Sequence, residues 1–166
     1  NELNFKETKT RFELSDDQDI ACVSSQGITE GFPLDKSRTL YGATKLSSEL
    51  IIQEYIDMYG MKAIINRCAV LTGPGQFGKS DQGVVVLWIA RHFWNKNLSY
   101  IGYGGTGKQV RDILHIDDLF ELIDYQIKNI NELSGEVFNV GGGKETSISL
   151  LELTRICEKY TGNKIK

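Results

Sequence analysis

Tyr41 and Lys45 are the two residues whose types and spacing best fit a chemical role in this sequence. They stand four positions apart, so on a helix their side chains lie on one face. A neighbouring ammonium group stabilises the phenolate form of a tyrosine, which makes Tyr41 a candidate general acid/base. The same spacing recurs at Tyr160 and Lys164, but that pair spans a helix stop signal at Gly162. Only the first pair opens an amphipathic run, and we therefore expect the chemistry there.

The segments that must position this pair alternate between strand and helix patterns. Helices are predicted over residues 39–59, 84–94, 117–129 and 150–160; the third is expected to be capped by Asp117 or Asp118, and the last by a capping box of Ser149 and Glu152. Strands are predicted over residues 62–71, 98–101, 109–113 and 137–140. The first 35 residues are predicted to be irregular. Such alternation is typical of an α/β fold with a mostly parallel sheet.

Length and composition exclude several classes of protein. The chain has 166 residues, of which 40% are hydrophobic and 25% charged, which fits one ordinary globular domain. Its net charge of −3 argues against a general nucleic-acid surface, and its longest apolar run, residues 84–90, is too short to cross a membrane. Three scattered cysteines argue against a disulfide framework or a zinc site. We therefore expect no metal, no membrane or nucleic-acid partner, and a reducing, cytoplasmic location.

Two glycine motifs have the spacing of nucleotide-binding loops. Gly102, Gly104 and Gly107 show the Gly-x-Gly-x-x-Gly pattern that binds a dinucleotide when it lies between a strand and a helix. The residues after Gly107 carry no helical period, so we predict a turn between two strands there. Residues 73–80 match the phosphate-binding P-loop at every defined position.

The P-loop interpretation stays open on these observations. A strand is predicted before the loop and a helix after it, as the motif requires. In a P-loop, however, the helix begins at the lysine, so that its N–H groups point at phosphate. Asp81 and Gly83 would then stand in the first turn, where neither favours an anion site or a helix. A P-loop nucleotide-binding protein is therefore the alternative of a different class.

Four segments, taken in order, resemble the extended short-chain dehydrogenase/reductase family of NAD-dependent nucleotide-sugar epimerases and dehydratases. They are Tyr41-Gly-Ala-Thr-Lys45, the strand ending Arg67-Cys-Ala-Val-Leu-Thr-Gly73-Pro74, the segment from Gly104 to Asp112 followed by His115-Ile-Asp-Asp118, and Phe138-Asn-Val-Gly-Gly142. The resemblance covers about residues 35–166. Residues 80–83 and 107–112 look most like family members that invert carbon 2 of a CDP-linked sugar. Many members carry Asn where this chain has Val70, which disfavours a UDP-galactose-type 4-epimerase.

The resemblance implies an NAD-dependent enzyme that acts on a nucleotide sugar. Tyr41 and Lys45 would be catalytic and would both contact NAD. Tyr41 would exchange a proton with a sugar hydroxyl, and Lys45 would hydrogen-bond the nicotinamide ribose. Cys68 and Ala69 would line the nicotinamide side of the pocket. Arg111 would bind the nucleotide diphosphate, since a guanidinium can grip phosphate oxygens with two hydrogen bonds. Further substrate contacts are expected from Gln82, Lys108 and Gln109. A homodimer or higher homo-oligomer is the expected assembly.

The resemblance also predicts how the chain is divided. It implies the second half of a Rossmann-type NAD-binding domain, residues 36–75 and 132–143, with part of a smaller substrate-binding domain, residues 76–131 and 144–166. The family's glycine-rich NAD-binding turn is not found before Tyr41, nor is its catalytic Ser or Thr, since Ser24 and Ser25 are interpreted as surface loop residues. We therefore expect a central-to-C-terminal fragment of a longer epimerase, inactive on its own.

Other residues with functional groups are expected to have structural roles. His115 precedes a predicted helix and is interpreted as a packing or capping group. His92 is interpreted as a surface or interface residue, and Trp88 as a core or subunit contact. Arg67 ends a buried strand and is interpreted as structural.

Overall fold

The computed structural model describes residues 3–79 and 82–165, which form an α/β structure. Its strands are, in chain order, β1 Phe5–Glu7, β2 Phe12–Leu14, β3 Val23–Ser24, β4 Gly27–Ile28, β5 Ile65–Cys68, β6 Val70–Thr72, β7 Val110–Arg111, β8 Ile113–His115, β9 Val137–Val140 and β10 Ile148–Ser149. Its α-helices are α1 Leu40–Tyr59, α2 Val84–Phe93, α3 Ile116–Lys128, α4 Ile130–Leu133 and α5 Leu150–Thr161. Short 3-10 turns cover Tyr103–Gly105 and Lys144–Thr146. Within these described ranges, no helix has the length and apolar character needed to span a bilayer.

The helix predicted over residues 39–59 is confirmed as α1. Thr39 caps its start, because its Oγ1 accepts a hydrogen bond from the Gly42 amide at 3.1 Å. Gly60 ends it with a φ of 62°, a left-handed conformation that glycine adopts without strain. No residue of α1 is fully buried, and the side chains of Leu50 and Ile51 are 56% and 57% exposed. The described residues thus leave an apolar side of α1 uncovered.

Two parallel strand pairs form the centre of the fold. β5 pairs with β9, and β6 pairs with β8. Ala69 joins β5 to β6; its amide still bonds the Val140 carbonyl, whereas the Val70 amide bonds the Asp112 carbonyl. One extended segment therefore changes its pairing partner between Ala69 and Val70. The predicted α/β fold with parallel strands is confirmed.

Consecutive residues of β5 contact helices on opposite faces of the strand pairs. The side chain of Asn66 exchanges two hydrogen bonds, of 2.8 and 2.9 Å, with Gln126 of α3. The guanidinium of Arg67 forms an ion pair of 2.8 Å with Glu49 of α1. Because side chains alternate along a strand, α3 lies on one face and α1 on the other.

Buried apolar side chains form two clusters. The first joins Leu114, Leu119 and Val140, so that α3 packs on the parallel strands. The second packs α2 against α5, and its buried members are Trp88, Leu150, Leu153 and Cys157. The predicted division of the chain, with residues 36–75 and 132–143 in one domain, stays a prediction. α3 lies outside both ranges but packs on their strands.

The prediction that the first 35 residues are irregular is wrong. β1 and β2 form one antiparallel hairpin, and β3 and β4 form another. The Phe12 amide bonds the Lys108 carbonyl at 3.0 Å, which ties the first hairpin to the segment before β7. Each of these strands has only two or three residues, too few for an alternating pattern to stand out in the sequence.

Two predicted element boundaries also need correction. α3 is capped by His115 rather than by Asp117 or Asp118, since His115 Nδ1 accepts a hydrogen bond from the Asp117 amide at 3.2 Å. The capping role expected of His115 is thereby confirmed. Residues 98–101, all of them described, form no strand.

His92 is fully buried, so the prediction of a surface or interface position is wrong. Its Nδ1 donates a 2.7 Å hydrogen bond to the Trp88 carbonyl one turn earlier, and no described atom bonds its Nε2. Trp88, predicted as a core or subunit contact, is 4% exposed and lies in the core. Residues 84–90 of α2 are all apolar, so the first two turns carry no polar residue that marks the outward face.

An ion pair between Arg11 and Glu152 fixes the first hairpin to α5. The guanidinium lies 2.5 Å from the carboxylate and also donates to the Ser147 carbonyl at 2.9 Å. Glu152 completes the predicted capping box, which is confirmed, by accepting from the Ser149 amide at 3.0 Å. Partial burial disfavours the ionised carboxyl, but hydrogen bonds from Arg11, the Ser149 amide and Thr10 outweigh it and lower the pKa of Glu152 to about 2.

Glu152→Gln is expected to lower the free energy of unfolding at neutral pH by about 1.5–3 kcal/mol, the range for hydrogen bonds to charged groups. Because the folded pKa of Glu152 lies below its ordinary value of 4.5, this stabilisation is complete above pH 4.5 and is lost as the pH falls towards 2. Thermal unfolding at a series of pH values should therefore show a gap between the two proteins that narrows below pH 4.5. Glu145→Gln, the same change at an exposed residue, is the control, and a gap independent of pH would contradict this account.

Candidate active site

Tyr41 and Lys45 lie together on the first two turns of α1, as their spacing predicts. The Lys45 Nζ is 5.4 Å from the centroid of the Tyr41 ring, within the range of a cation–π contact. Tyr41 is 71% exposed. The start of α1 therefore presents a phenol and an ammonium group side by side to solvent.

The ion pair between Glu49 and Arg67 shows where this start lies relative to the strands. Arg67 is the third of the four residues of β5. α1 connects to β5 through residues 60–64, so the two elements run in opposite directions. Glu49 follows Tyr41 by two turns, and at 1.5 Å per residue Tyr41 lies about 12 Å further along the helix axis. The first turns of α1 therefore project beyond the carboxyl end of β5, the side on which open α/β sheets bind ligands.

A cavity of about 630 Å³ opens at the carboxyl ends of β5 and β9. Cys68 and Ala69, two of the four predicted cofactor contacts, line it together with Asn139 and with residues 25–28 of the β3–β4 hairpin. Partial burial raises the pKa of the Cys68 thiol, so the thiol stays protonated at neutral pH and forms an uncharged wall. The structure brings Cys68 and Ala69 to one cavity, whereas Tyr41 is not among the described residues that line it.

Two of the predicted substrate contacts are cations in or just before β7. Arg111 is exposed, and one nitrogen of its guanidinium donates to the Val110 carbonyl at 2.9 Å. Lys108 is held by a 2.7 Å ion pair with Glu7 and by a 2.9 Å hydrogen bond to the Thr8 carbonyl. The charge of Arg111 is thus open to solvent, while that of Lys108 is already paired within the protein.

The other two predicted substrate contacts are glutamines in contrasting surroundings. Gln109 is 5% exposed; its Nε2 donates to the Ile101 carbonyl at 3.2 Å, and its Oε1 has no partner among the described atoms. Gln82 is exposed in the loop before α2, and its amide bonds the Lys79 carbonyl. The structure does not bring these four residues to the cavity of Cys68, and their substrate contacts stay predictions.

Asp112 fixes the glycine-rich turn after β9, a role that the sequence reasoning missed. Its Oδ1 accepts hydrogen bonds from the amides of Gly142 at 2.8 Å and Gly143 at 3.0 Å. Gly143 has a φ of 86°, which favours glycine. A methyl group added at Gly142 would overlap the Ile113 carbonyl oxygen. Three adjacent glycines signalled a tight turn in the sequence, but the carboxylate that holds it lies 30 residues before Gly142.

Neither glycine motif adopts the arrangement of a nucleotide-binding loop in the described residues. Gly107 is followed by β7 rather than by a helix, which excludes the dinucleotide-binding arrangement. The predicted turn between two strands is right only for the strand that follows, because residues 98–101 form none. α2 begins at Val84, with Gly83 as its cap at a φ of 70°, and not at Lys79. Residues 80 and 81 of the P-loop prediction lie outside the described residues. The N–H groups at the start of α2 therefore belong to residues beyond the motif.

Comparison with known proteins agrees with this geometry. The profile of the NAD dependent epimerase/dehydratase family matches residues 20–141. The CDP-paratose 2-epimerase of Salmonella typhi is 31% identical over 162 residues, which cover 96% of this chain and 45% of that protein. The UDP-glucuronate 4-epimerase of Thermodesulfobacterium geofontis is 29% identical over 155 residues, which cover 92% of this chain and 44% of that protein. The chain thus spans less than half the length of these relatives.

The solved structure of another nucleotide-sugar epimerase shares the fold. The UDP-glucuronic acid 4-epimerase of Bacillus cereus, in complex with UDP-glucuronic acid and NAD, superposes with a TM-score of 0.72 at 27% identity, covering 84% of this chain and 41% of that one. The parallel strands, the cavity at their carboxyl ends and the family match over residues 20–141 lead to one conclusion. This chain belongs to the NAD dependent epimerase/dehydratase family.

Proposed function

We propose that this chain is part of an NAD-dependent enzyme that converts CDP-paratose to CDP-tyvelose by inverting carbon 2 of the sugar. The observation that carries the proposal is the Tyr41–Lys45 face, which projects past the carboxyl end of β5. The family is NAD-dependent. A CDP-paratose 2-epimerase is the more similar of the two relatives described above, and the resemblance of residues 80–83 and 107–112 supports the same substrate.

Tyr41 is assigned the proton transfer in this enzyme. As a phenolate it takes the proton of a sugar hydroxyl, and as a phenol it returns one. Lys45, 5.4 Å from the ring centroid, is proposed to hydrogen-bond the nicotinamide ribose when NAD is bound. NAD, when bound, supplies the hydride chemistry that turns the alcohol into a ketone and back. The cavity beside Cys68, about 630 Å³, is in the range of small-molecule sites and leaves room for the ketone to turn over.

The described residues fit the nicotinamide end of NAD. Cys68 and Ala69 offer an uncharged wall at the cavity, and Tyr41 and Lys45 offer exposed polar groups. Arg111 is proposed to bind the nucleotide diphosphate. The proposed contacts to nucleotide or sugar come from Gln82, Lys108 and Gln109. Residues 36–75 and 132–143 are proposed to serve NAD binding, and residues 76–131 and 144–166 mainly substrate binding.

Turnover by the complete enzyme tests the proposal. Purified enzyme with NAD is incubated separately with CDP-paratose, UDP-glucuronate, UDP-glucose and dTDP-glucose, and the products are identified by chromatography and NMR. We expect conversion of CDP-paratose to CDP-tyvelose, with kcat/KM for the other sugars lower by about 100-fold or more. Inversion of a UDP-linked sugar at carbon 4 would support a 4-epimerase instead. Formation of a 4-keto-6-deoxy sugar from dTDP-glucose would support a 4,6-dehydratase.

The isolated 166-residue chain is proposed to turn over none of these sugars. It spans 45% of the length of the Salmonella typhi relative. The same assay with the isolated chain checks this, and turnover at the rate of the complete enzyme would contradict it.

Lys79→Ala tests the alternative of a different class, a P-loop nucleotide-binding protein. No helix starts at Lys79, because α2 begins at Val84. We therefore expect wild type and variant to show the same weak or undetectable ATP binding by calorimetry. The control is Lys96→Ala, the same change at another exposed lysine. Micromolar ATP binding by wild type that falls about 10-fold or more only in Lys79→Ala would support the P-loop instead.

We also propose that the enzyme is a cytoplasmic homodimer in which α1 contributes to the interface. The support for the dimer is the exposed apolar side of α1, which carries Leu50 and Ile51. The three cysteines, all free, support a reducing compartment. Leu50→Glu should convert the dimer to a monomer in light scattering of the complete enzyme. A dimer that survives this change would place the interface on another surface.

A further inference from the structure

Arg67 contacts three parts of the molecule that the proposed function depends on. Its Nε lies 3.1 Å from both carboxylate oxygens of Glu49, and its Nη2 donates to one of them at 2.8 Å. Its Nη1 donates to the Glu30 carbonyl at 3.2 Å. The next residue, Cys68, lines the cavity. One guanidinium therefore joins α1, the end of β5 and the segment after β4.

The segment after β4 is fixed to β9 at the same level. Asn139, the register partner of Arg67, donates from its side chain to the Ile28 carbonyl at 3.0 Å, and its amide donates to the Glu30 carboxylate at 2.8 Å. That hydrogen bond from the Asn139 amide lowers the pKa of Glu30, which is therefore ionised at neutral pH. Residues 23–30, the strap, supply part of the cavity wall and are held to both β5 and β9.

We propose that Arg67 is a positioning residue of the enzyme: by holding Glu49 of α1 and Glu30 of the strap at once, it sets the distance between the Tyr41–Lys45 face and the cavity wall. The inference rests on the proposed function. Glu49 and Tyr41 belong to one continuous helix, so fixing Glu49 against β5 prevents α1 from sliding along the strand. The planar guanidinium, which bonds both carboxylate oxygens, also fixes the orientation of the Glu49 carboxylate, whereas a single point charge would not.

Magnitudes favour a positioning role over a purely stabilising one. The side chains of Arg67 and Glu49 are only 24% and 16% exposed, and in such surroundings the cost of removing two charges from water offsets most of their attraction. A displacement of about 1 Å at a catalytic group, in contrast, costs about 100-fold in rate. The pair therefore has more effect through the placement of Tyr41 than through the net stability of the fold.

Steady-state kinetics of the complete enzyme with its sugar substrate test the inference. Glu49→Gln keeps the size of the side chain and removes its charge, whereas Arg67→Lys keeps the charge and removes the fork. We expect each change to lower kcat by about 10- to 100-fold while KM stays within about 3-fold. Arg67→Met should lose more kcat than Arg67→Lys. Glu54→Gln, the same change at an exposed residue of α1, should leave kcat unchanged.

Hydrogen exchange adds a readout that does not depend on turnover. If Arg67 holds the strap, the Asn139 amide, bonded to the Glu30 carboxylate, should exchange about 10-fold or more faster in Arg67→Met than in wild type. Unchanged exchange would overturn the inference, as would an active wild-type enzyme whose kcat is unaffected by Glu49→Gln. A wild-type enzyme inactive on every nucleotide sugar would overturn the proposed function, and the inference with it.

Discussion

Tyr41→Phe is expected to lower kcat of the complete enzyme by about 10²- to 10⁴-fold, the usual contribution of a general acid/base. Phenylalanine keeps the ring and its contact with the Lys45 ammonium, so the change removes only the oxygen that carries the proton. Because that oxygen is assigned to the sugar hydroxyl, NAD binding, measured by fluorescence titration, should stay close to that of wild type.

Tyr160→Phe is the matched control for this experiment. Tyr160 precedes Lys164 by the same four positions and is 80% exposed. α5 ends at Thr161, and Gly162 follows with a φ of 72°, so this pair does not share a helical face. The kcat of the Tyr160→Phe enzyme should equal that of wild type. A Tyr41→Phe enzyme that retains wild-type kcat would remove Tyr41 from the chemistry.

Gly142→Ala is expected to reduce the free energy of unfolding by about 3 kcal/mol or more, the upper end of the range for overpacking. The added methyl would overlap the Ile113 carbonyl oxygen and the Thr146 hydroxyl. Thr146 donates to that same carbonyl at 3.0 Å, and the Gly142 amide bonds Asp112. Relief of the overlap would therefore break hydrogen bonds that hold the turn after β9. Urea unfolding should show a lower midpoint with an unchanged slope.

Gly42→Ala provides the comparison for Gly142→Ala. Gly42 lies in α1, where an added methyl would meet its nearest neighbour, Thr39 Oγ1, at an ordinary distance of 3.4 Å. Alanine is the better helix former by up to about 1 kcal/mol, so the urea midpoint should stay equal or rise. If both substitutions lowered the midpoint alike, the overlap at Gly142 would not be the cause.

The helices could be predicted closely because their signals are local. Gly60 ends α1 and the Ser149–Glu152 capping box starts α5, and each acts within one turn of its own helix. The strands that were not predicted depend on hydrogen bonds to residues far away in the sequence. The first hairpin is held by Phe12, whose amide bonds Lys108, a residue that no local pattern connects with it.

The candidate site shows the same division between local and long-range information. Tyr41 and Lys45 could be found because helix geometry alone brings residues four apart together. The partners of Arg67 could not: Glu49 is 18 residues away and Glu30 is 37. The burial of His92 could not be predicted because residues 84–90 of α2 are all apolar, and the packing of α2 against α5 arises only in the folded chain.

The contacts of Asn66 and Arg67 disfavour a one-residue shift of β5 against β9. Side chains alternate along a strand, so a slip of one residue would turn the guanidinium towards α3 and the carboxamide towards α1. Arg67 would then lose Glu49 as its counterion, and Gln126 would lose both hydrogen bonds to Asn66. Each mismatch leaves a partly buried polar group unsatisfied, which is costly. Two neighbouring polar residues thus favour the one alignment of β5 that forms the ligand-binding edge of the sheet.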